Sequence, residues 1–183
     1  MESFHTMRIH EGWRIPNSVF LTLSGVTIVL TWVLLMVAYP LLPAHFPSHF
    51  GVDGAADAWC VKTWWSVFLP AMLQIVLTAL TWWLSHHPEY SNLPSSLPLR
   101  AVAEPMQTKI RAILAHLLVM TGVLVNLIMA YVALAVVRVG LGEAAHMDSW
   151  LIFFLAGFLI LLSLVYAIWI ARLTRQALPT AVH

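Results

Sequence analysis

Four ionisable side chains recur every four residues in one short segment of a chain that has few such groups. They are His45, His49, Asp53 and Asp57. Imidazole and carboxylate groups together can bind a divalent cation, transfer a proton, or hold a loop through a hydrogen bond. Nitrogen and carboxylate ligands suit zinc, and we single out His49 and Asp57 as candidate metal ligands or an acid–base pair.

A spacing of four places side chains on one face of a helix, but this segment is not typical of a continuous helix. A proline and two glycines interrupt it, and the sequence GVDG is typical of a turn in which glycine supplies positive backbone angles. We therefore expect a compact loop over residues 40–62 that brings His49, Asp57 and Lys62 together. Three roles stay open for it: a structural lock, a recognition surface for a partner or small ligand, and metal or acid–base chemistry.

The composition of the chain indicates what must position this loop. The 183 residues are 61% hydrophobic and 9% charged, and the mean hydropathy is +0.85. This much apolar surface cannot be buried in a soluble core of this size, so the composition predicts an integral membrane protein. Four apolar runs are long enough to cross a hydrocarbon core, which takes about 20 helical residues. They cover approximately residues 19–39, 63–84, 113–137 and 150–171.

The basic residues that flank the spans predict the orientation in the membrane. An even number of spans places both termini on one side, together with the loop 85–112. Seven basic residues fall on that side and two on the other: Arg8, Arg14, Arg100, Lys109, Arg111, Arg172 and Arg175 against Lys62 and Arg138. Because cytoplasmic loops carry the excess of Lys and Arg, this asymmetry predicts cytoplasmic termini and an outward-facing loop 40–62. The predicted fold class is all-α, a polytopic bundle of four transmembrane helices.

A second group of residues predicts contacts between the helices. Gly122, Asn126 and Ala130 recur every four residues and form one stripe on the third span. Small residues at this spacing allow helices to approach closely, and a buried amide can hydrogen-bond across the contact. Gln74 is the other amide within a span and is the candidate partner of Asn126. His116 lies nearer the cytoplasmic end of the same span, where it can hydrogen-bond at the interface.

Several classes of function find no support in the sequence. The net charge of +1 offers no basic surface for nucleic acid, which needs clustered Lys and Arg. The single cysteine, Cys60, excludes an intramolecular disulfide. No HExxH motif or serine elbow is present. An enzyme is therefore the weaker alternative, and it would use His49 and Asp57 at the membrane interface.

The segment LPAHFPSHFGVDGAADAWCVK resembles the signature of a bacterial family of membrane proteins of unknown function that includes the SdpI-type immunity proteins. The resembling pattern is a Leu-Pro pair, Pro-x-His-Phe, a glycine, an aspartate three residues later and a lysine, followed by a helix that contains proline. The matching positions are Leu42, Pro43, Pro47, His49, Phe50, Gly54, Asp57 and Lys62. His45 and Asp53 do not belong to it. The segment PEYSNLP resembles a second motif of this family, Asn-aromatic-Pro, with Leu93 where the aromatic residue is usual.

The resemblance covers roughly residues 25–95 and implies a multi-pass protein of the bacterial cytoplasmic membrane. SdpI-type proteins protect cells from a secreted toxic peptide and can hold a repressor at the membrane, but they are longer and have additional spans. The resemblance thus favours a receptor, immunity or signalling protein, with a peptide ligand at the outward loop and a protein partner at the cytoplasmic loop. The second alternative is an accessory or transport subunit that forms a homo-oligomer or joins a larger membrane complex.

Overall fold

The computed structural model describes residues 17–87, residue 90 and residues 104–176. Within these ranges the chain forms long helices, and a β-hairpin connects the first two. The elements in chain order are α1 (Asn17–Ala38), β1 (His45–Phe50), β2 (Ala56–Val61), α2 (Trp64–His86), α3 (Glu104–Gly140) and α4 (Ser149–Gln176).

The four helices of the described residues are all long and apolar enough to cross a membrane. Of the described residues, 76% are helical, and large apolar side chains are exposed along the helices, as expected for surfaces in contact with lipid. The predicted all-α bundle of four membrane-spanning helices is therefore confirmed.

Helix α3 lies at the centre of the bundle, because it packs against α1, α2, α4 and strand β1. Two groups of buried apolar residues stabilise these contacts. The larger group joins α1, β1, α2 and α3 near the hairpin, and the smaller group joins the first half of α3 to the last turns of α4. We call the end of the bundle that carries the hairpin and the α3–α4 connection the hairpin end.

Helix α3 is longer than the predicted span 113–137 at both of its ends. It begins at Glu104 with Pro105 in its first turn, where a proline is tolerated because that N–H has no helical acceptor. The segments 88–89 and 91–103, which hold most of the cytoplasmic loop and the PEYSNLP step except Tyr90, lie outside the described residues. So do Arg8, Arg14 and Arg100.

The connection between α1 and α2, for which the sequence predicted a compact loop, contains a two-stranded antiparallel hairpin. Only Lys62 and Thr63 separate β2 from α2, and Thr63 is the N-cap of that helix. The Thr63 hydroxyl accepts from the Ser66 main-chain N–H at 3.1 Å, and the Ser66 hydroxyl accepts from the Thr63 N–H at 2.9 Å. This reciprocal cap fixes where the hairpin ends and the helix begins.

Candidate functional site

The inner side of the hairpin is packed into the bundle. Phe46 is 2% exposed and belongs to the larger buried cluster, with Leu35 of α1 and Val67 of α2. Helix α3 comes close at Gly140, where an added Cβ would lie 2.9 Å from Leu42 Cδ2. The hairpin is therefore part of the hydrophobic core and is not a tethered loop.

The turn of the hairpin is attached to the α3–α4 connection. Gly54 has a φ of +82°, which glycine adopts readily, and its main-chain oxygen accepts from the Met147 N–H at 2.8 Å. A Cβ added at Gly54 would lie 1.9 Å from the Met147 main-chain oxygen. Gly54 is thus required both by the turn and by the close approach of a second backbone, and the GVDG turn of the sequence is present.

Two irregularities in the strand register bring His49 and Asp57 together. Pro47 pairs with Trp59, His49 with Ala58, and Phe50 with Ala56. Ser48 and Asp57 therefore have no paired residue in the backbone register of the two strands. Such bulges redirect side chains from the regular alternation of a strand. His49 Nδ1 lies 2.6 Å from Asp57 Oδ1 as a result.

The pair lies on the accessible side of the hairpin. The His49 side chain is 69% exposed and that of Asp57 is 51% exposed, and the neighbouring Trp59 is 54% exposed. We refer to these three residues as the exposed hairpin residues. Even an exposed ion pair contributes only about 0–1 kcal/mol to stability, so the fold does not depend on this contact. An imidazole fixed by a carboxylate can instead hydrogen-bond to a ligand, and an exposed indole ring can stack on one.

The structure supplies only part of a zinc site at this pair. No group of three or more His, Cys, Asp or Glu side chains within the described part of the chain is placed to hold a metal ion. Zinc in proteins has at least three protein ligands, and His49 and Asp57 provide two. Metal binding here would need donors from beyond the described part of the chain.

Lys62 does not join His49 and Asp57, contrary to our expectation. It lies at the open end of the hairpin, where its Nζ donates to the main-chain oxygens of Leu42 at 2.5 Å and Tyr39 at 3.3 Å. The same Nζ lies 5.4 Å from the centre of the Tyr39 ring. Lys62 thus contacts the segment that directly follows α1, and such contacts are what a structural lock, one of the roles predicted for this loop, requires.

The other members of the four-residue series are also separate from the pair. Asp53 accepts from the Ala55 N–H at 3.1 Å, a contact within the turn. His45 is exposed at the start of β1, opposite Val61. Phe50, which the family resemblance also marked, is partly buried against the larger core cluster. Only His49 and Asp57 of the series are brought into contact.

Gln74 and Asn126 meet between α2 and α3, although not side chain to side chain. Gln74 Nε2 donates to the main-chain oxygen of Asn126 at 2.9 Å, and Asn126 Nδ2 donates to Thr78 Oγ1 at 2.7 Å. Both amides are buried, with exposures of 0% and 1%. Thr78 was not among the residues predicted from the sequence, although its spacing of four from Gln74 places both on one face of α2.

The remaining predicted contact residues occupy different surroundings. A Cβ at Gly122 would lie 2.7 Å from Thr81 Oγ1, so this glycine allows α2 and α3 to approach closely. Ala130 is partly buried. His116 lies between rings of two other helices, with centroids 5.2 Å from Phe20 and 6.3 Å from Tyr166.

These features define a multi-pass α-helical membrane protein with a hairpin docked on one end of its bundle. Residues 26–75, which include most of α1, the whole hairpin and half of α2, match a family model described as Domain of unknown function (DUF1648). No curated protein and no solved structure shows significant similarity to the chain. The matched segment contains His49, Asp57 and Lys62 but ends before α3.

Proposed function

We propose that the chain is a receptor or immunity protein of the bacterial cytoplasmic membrane that binds a ligand, foremost a toxic peptide, at the exposed hairpin residues. The observation that carries this proposal is the contrast between a hairpin fixed in the core and a hydrogen-bonded His–Asp pair that is exposed on the same two strands as the exposed Trp59. A rigid support keeps such a pair in one geometry, which lowers the entropy lost on binding. The resemblance to the SdpI-type proteins gives the class of ligand.

The proposal requires the hairpin end to face outward. Among the described basic residues, Lys62 and Arg138 lie at the hairpin end, and four others lie at the opposite end: Lys109, Arg111, Arg172 and Arg175. We test the orientation with single cysteines in a Cys60→Ser background, at the exposed positions 52 and 175. A membrane-impermeant maleimide should label Val52→Cys in intact cells and Arg175→Cys only after lysis. The reverse pattern contradicts the proposal.

A survival assay tests recognition directly. Cells that produce the parent, the double variant His49→Gln/Asp57→Asn, or Asp53→Asn are challenged with a panel of secreted membrane-active bacterial peptides. We expect the parent and Asp53→Asn to protect against the same peptide and the double variant to lose protection at equal abundance in the membrane. Asp53→Asn is the matched control, because an asparagine retains the oxygen that the turn requires. Equal protection by the double variant would make the pair a structural feature only.

An accessory subunit of a larger complex is the second candidate, and helix α4 favours it. Its apolar window contains no buried residue, and its only extensive helix contact in the described structure is with α3. No atom lies within 4 Å of a Cβ built at Gly157. A second helix could therefore approach α4 closely at this glycine, as happens at small residues between membrane helices. Mass measurement of the protein released from native membranes in mild detergent distinguishes the candidates. A partner or a second copy supports the accessory role, and a monomer contradicts it.

A further inference from the structure

The hairpin end holds a pocket separate from the exposed hairpin residues. Its volume is about 310 Å³, and it lies between the last turns of α3 and the connection to α4. Tyr131 and Leu134 belong to its helical wall, and its other wall is the segment 143–148. The Tyr131 hydroxyl donates to the Asp148 main-chain oxygen at 3.1 Å and ties the two walls together.

The pocket is shaped by the way α3 ends. Gly142 has a φ of +74°, and its N–H donates to the Val139 oxygen at 3.1 Å while the Glu143 N–H donates to the Arg138 oxygen at 2.8 Å. This pair of bonds is a Schellman motif, in which the residues at the positions of Arg138 and Glu143 usually form an apolar contact. Here both residues are charged, and both line the pocket.

The charges around the pocket are opposite in sign and unpaired. Arg138 and the carboxylates of Glu143 and Asp148 are exposed, and among the described residues the only salt bridge is that of His49 with Asp57. A guanidinium and two carboxylates that share a pocket without neutralising one another can each bind a charge of a zwitterionic ligand. Arginine matches phosphate in a bidentate manner, and carboxylates accept hydrogen bonds from a primary ammonium group.

The position of the pocket indicates that the ligand is a lipid. Arg138 is in the last turn of a membrane-spanning helix, and one turn deeper Leu134 is 38% exposed. Trp150, just after the pocket segment, is 71% exposed, and Trp residues are enriched at the level of lipid headgroups. The charges thus lie at headgroup depth above an apolar wall.

From this geometry we propose that the pocket binds a phospholipid with a primary-amine headgroup, its phosphate on Arg138 and its ammonium on Glu143 and Asp148. A choline headgroup fits less well, because its quaternary ammonium has no N–H to donate and is usually held by an aromatic cage. The pocket lining has two aromatic rings, those of Tyr131 and His146, and contains no Phe or Trp. The proposal holds for either membrane leaflet and is independent of the function proposed for the hairpin.

Native mass spectrometry of the purified full chain tests the proposal. The protein is titrated with phosphatidylethanolamine, phosphatidylcholine and phosphatidylglycerol of identical acyl chains. We expect the parent to prefer phosphatidylethanolamine over phosphatidylcholine. Arg138→Gln should weaken phosphatidylethanolamine binding about tenfold, the effect of losing one charge-assisted contact. Arg175→Gln, at the other end of the bundle, is the matched control and should bind as the parent does.

A second variant separates recognition of the two charges. Glu143→Gln/Asp148→Asn should abolish the preference for ethanolamine over choline and retain binding that depends on Arg138. Equal binding of all three lipids by the parent, or unchanged binding by Arg138→Gln, would overturn the proposal. Soluble glycerophosphoethanolamine is added as a competitor at the lipid concentration. Full displacement would identify a soluble phosphoamine as the ligand and overturn the lipid assignment, and no displacement supports it.

Discussion

The docked and the exposed residues of the hairpin differ in what holds them. Phe46 and Gly54 contact the bundle directly, one in the hydrophobic core and one against the main chain of Met147. His49 and Asp57 lie on the two strands of the same hairpin, contact each other and remain exposed. The docked residues fix the backbone, and the exposed pair takes its position from that backbone. We therefore expect that stability and the proposed recognition can be changed independently within one short segment.

Gly54→Ala should have the largest effect on the docked side. The substitution places a Cβ 1.9 Å from the Met147 oxygen and a side chain at a φ of +82°. The clashing atom belongs to the main chain and cannot move aside as a side chain can. The turn must therefore separate from the α3–α4 connection. We expect hydrogen exchange to rise at residues 51–55 and the protein to unfold at a lower denaturant concentration.

Gly142→Ala is the matched control for that experiment. Gly142 also has a positive φ, +74°, but no atom lies within 4 Å of an added Cβ. It should therefore cost only the backbone strain, about 1–2 kcal/mol. If both variants lose the same stability, the contact with Met147 does not hold the turn.

Lys62→Met should have the next largest effect. The substitution keeps the length of the side chain but removes the donors to Leu42 and Tyr39. Hydrogen bonds from charged groups contribute about 1.5–3 kcal/mol. We therefore expect the variant to lower the free energy of unfolding by an amount in that range. Lys109→Met is the control, because no hydrogen bond or salt bridge of that side chain is seen among the described residues. A loss no larger than that of the control would contradict the lock.

Thr78→Val tests a buried contact of the bundle against the exposed pair of the hairpin. The variant preserves shape and leaves Asn126 Nδ2 without its partner at 2.7 Å. Hydrogen bonds between membrane helices contribute about 0.6 kcal/mol on average and at most about 1.7. We expect a loss in that range when the folded fraction is measured in an SDS titration. Thr22→Val is the control, since Thr22 bonds only within its own helix in the described structure.

The membrane-spanning helices can be predicted from the sequence better than the hairpin can. The four spans follow from apolar runs of membrane-spanning length, a property that depends on each segment alone. The strands of the hairpin were not predicted, because β1 contains Pro47, a residue that disfavours strands. The pairing is instead stabilised by Phe46 in the core, which is a tertiary contact.

In the candidate site, too, some contacts could be predicted from the sequence and others could not. His49 and Asp57 were expected to meet, since a turn between them returns the chain on itself. Lys62 was expected to join them but lies at the open end of the hairpin, where its N–H donates to the Ala44 oxygen at 2.8 Å. Its position depends on strand register, which loop composition does not reveal. Thr78 was missed because its contact depends on the rotation of α2 against α3.

Asp57→Asn should have the smallest effect on stability and the most informative one on recognition. The His49–Asp57 pair is more than half exposed on both sides, so its loss should change the free energy of unfolding by less than about 1 kcal/mol. Hydrogen exchange at the turn should remain that of the parent, because Gly54 and Phe46 still dock the hairpin. Binding of the peptide identified in the survival assay should nevertheless weaken, since the imidazole loses the carboxylate that orients it. A large loss of stability would show that the pair belongs with the docked residues, and the separation of the two roles would then fail.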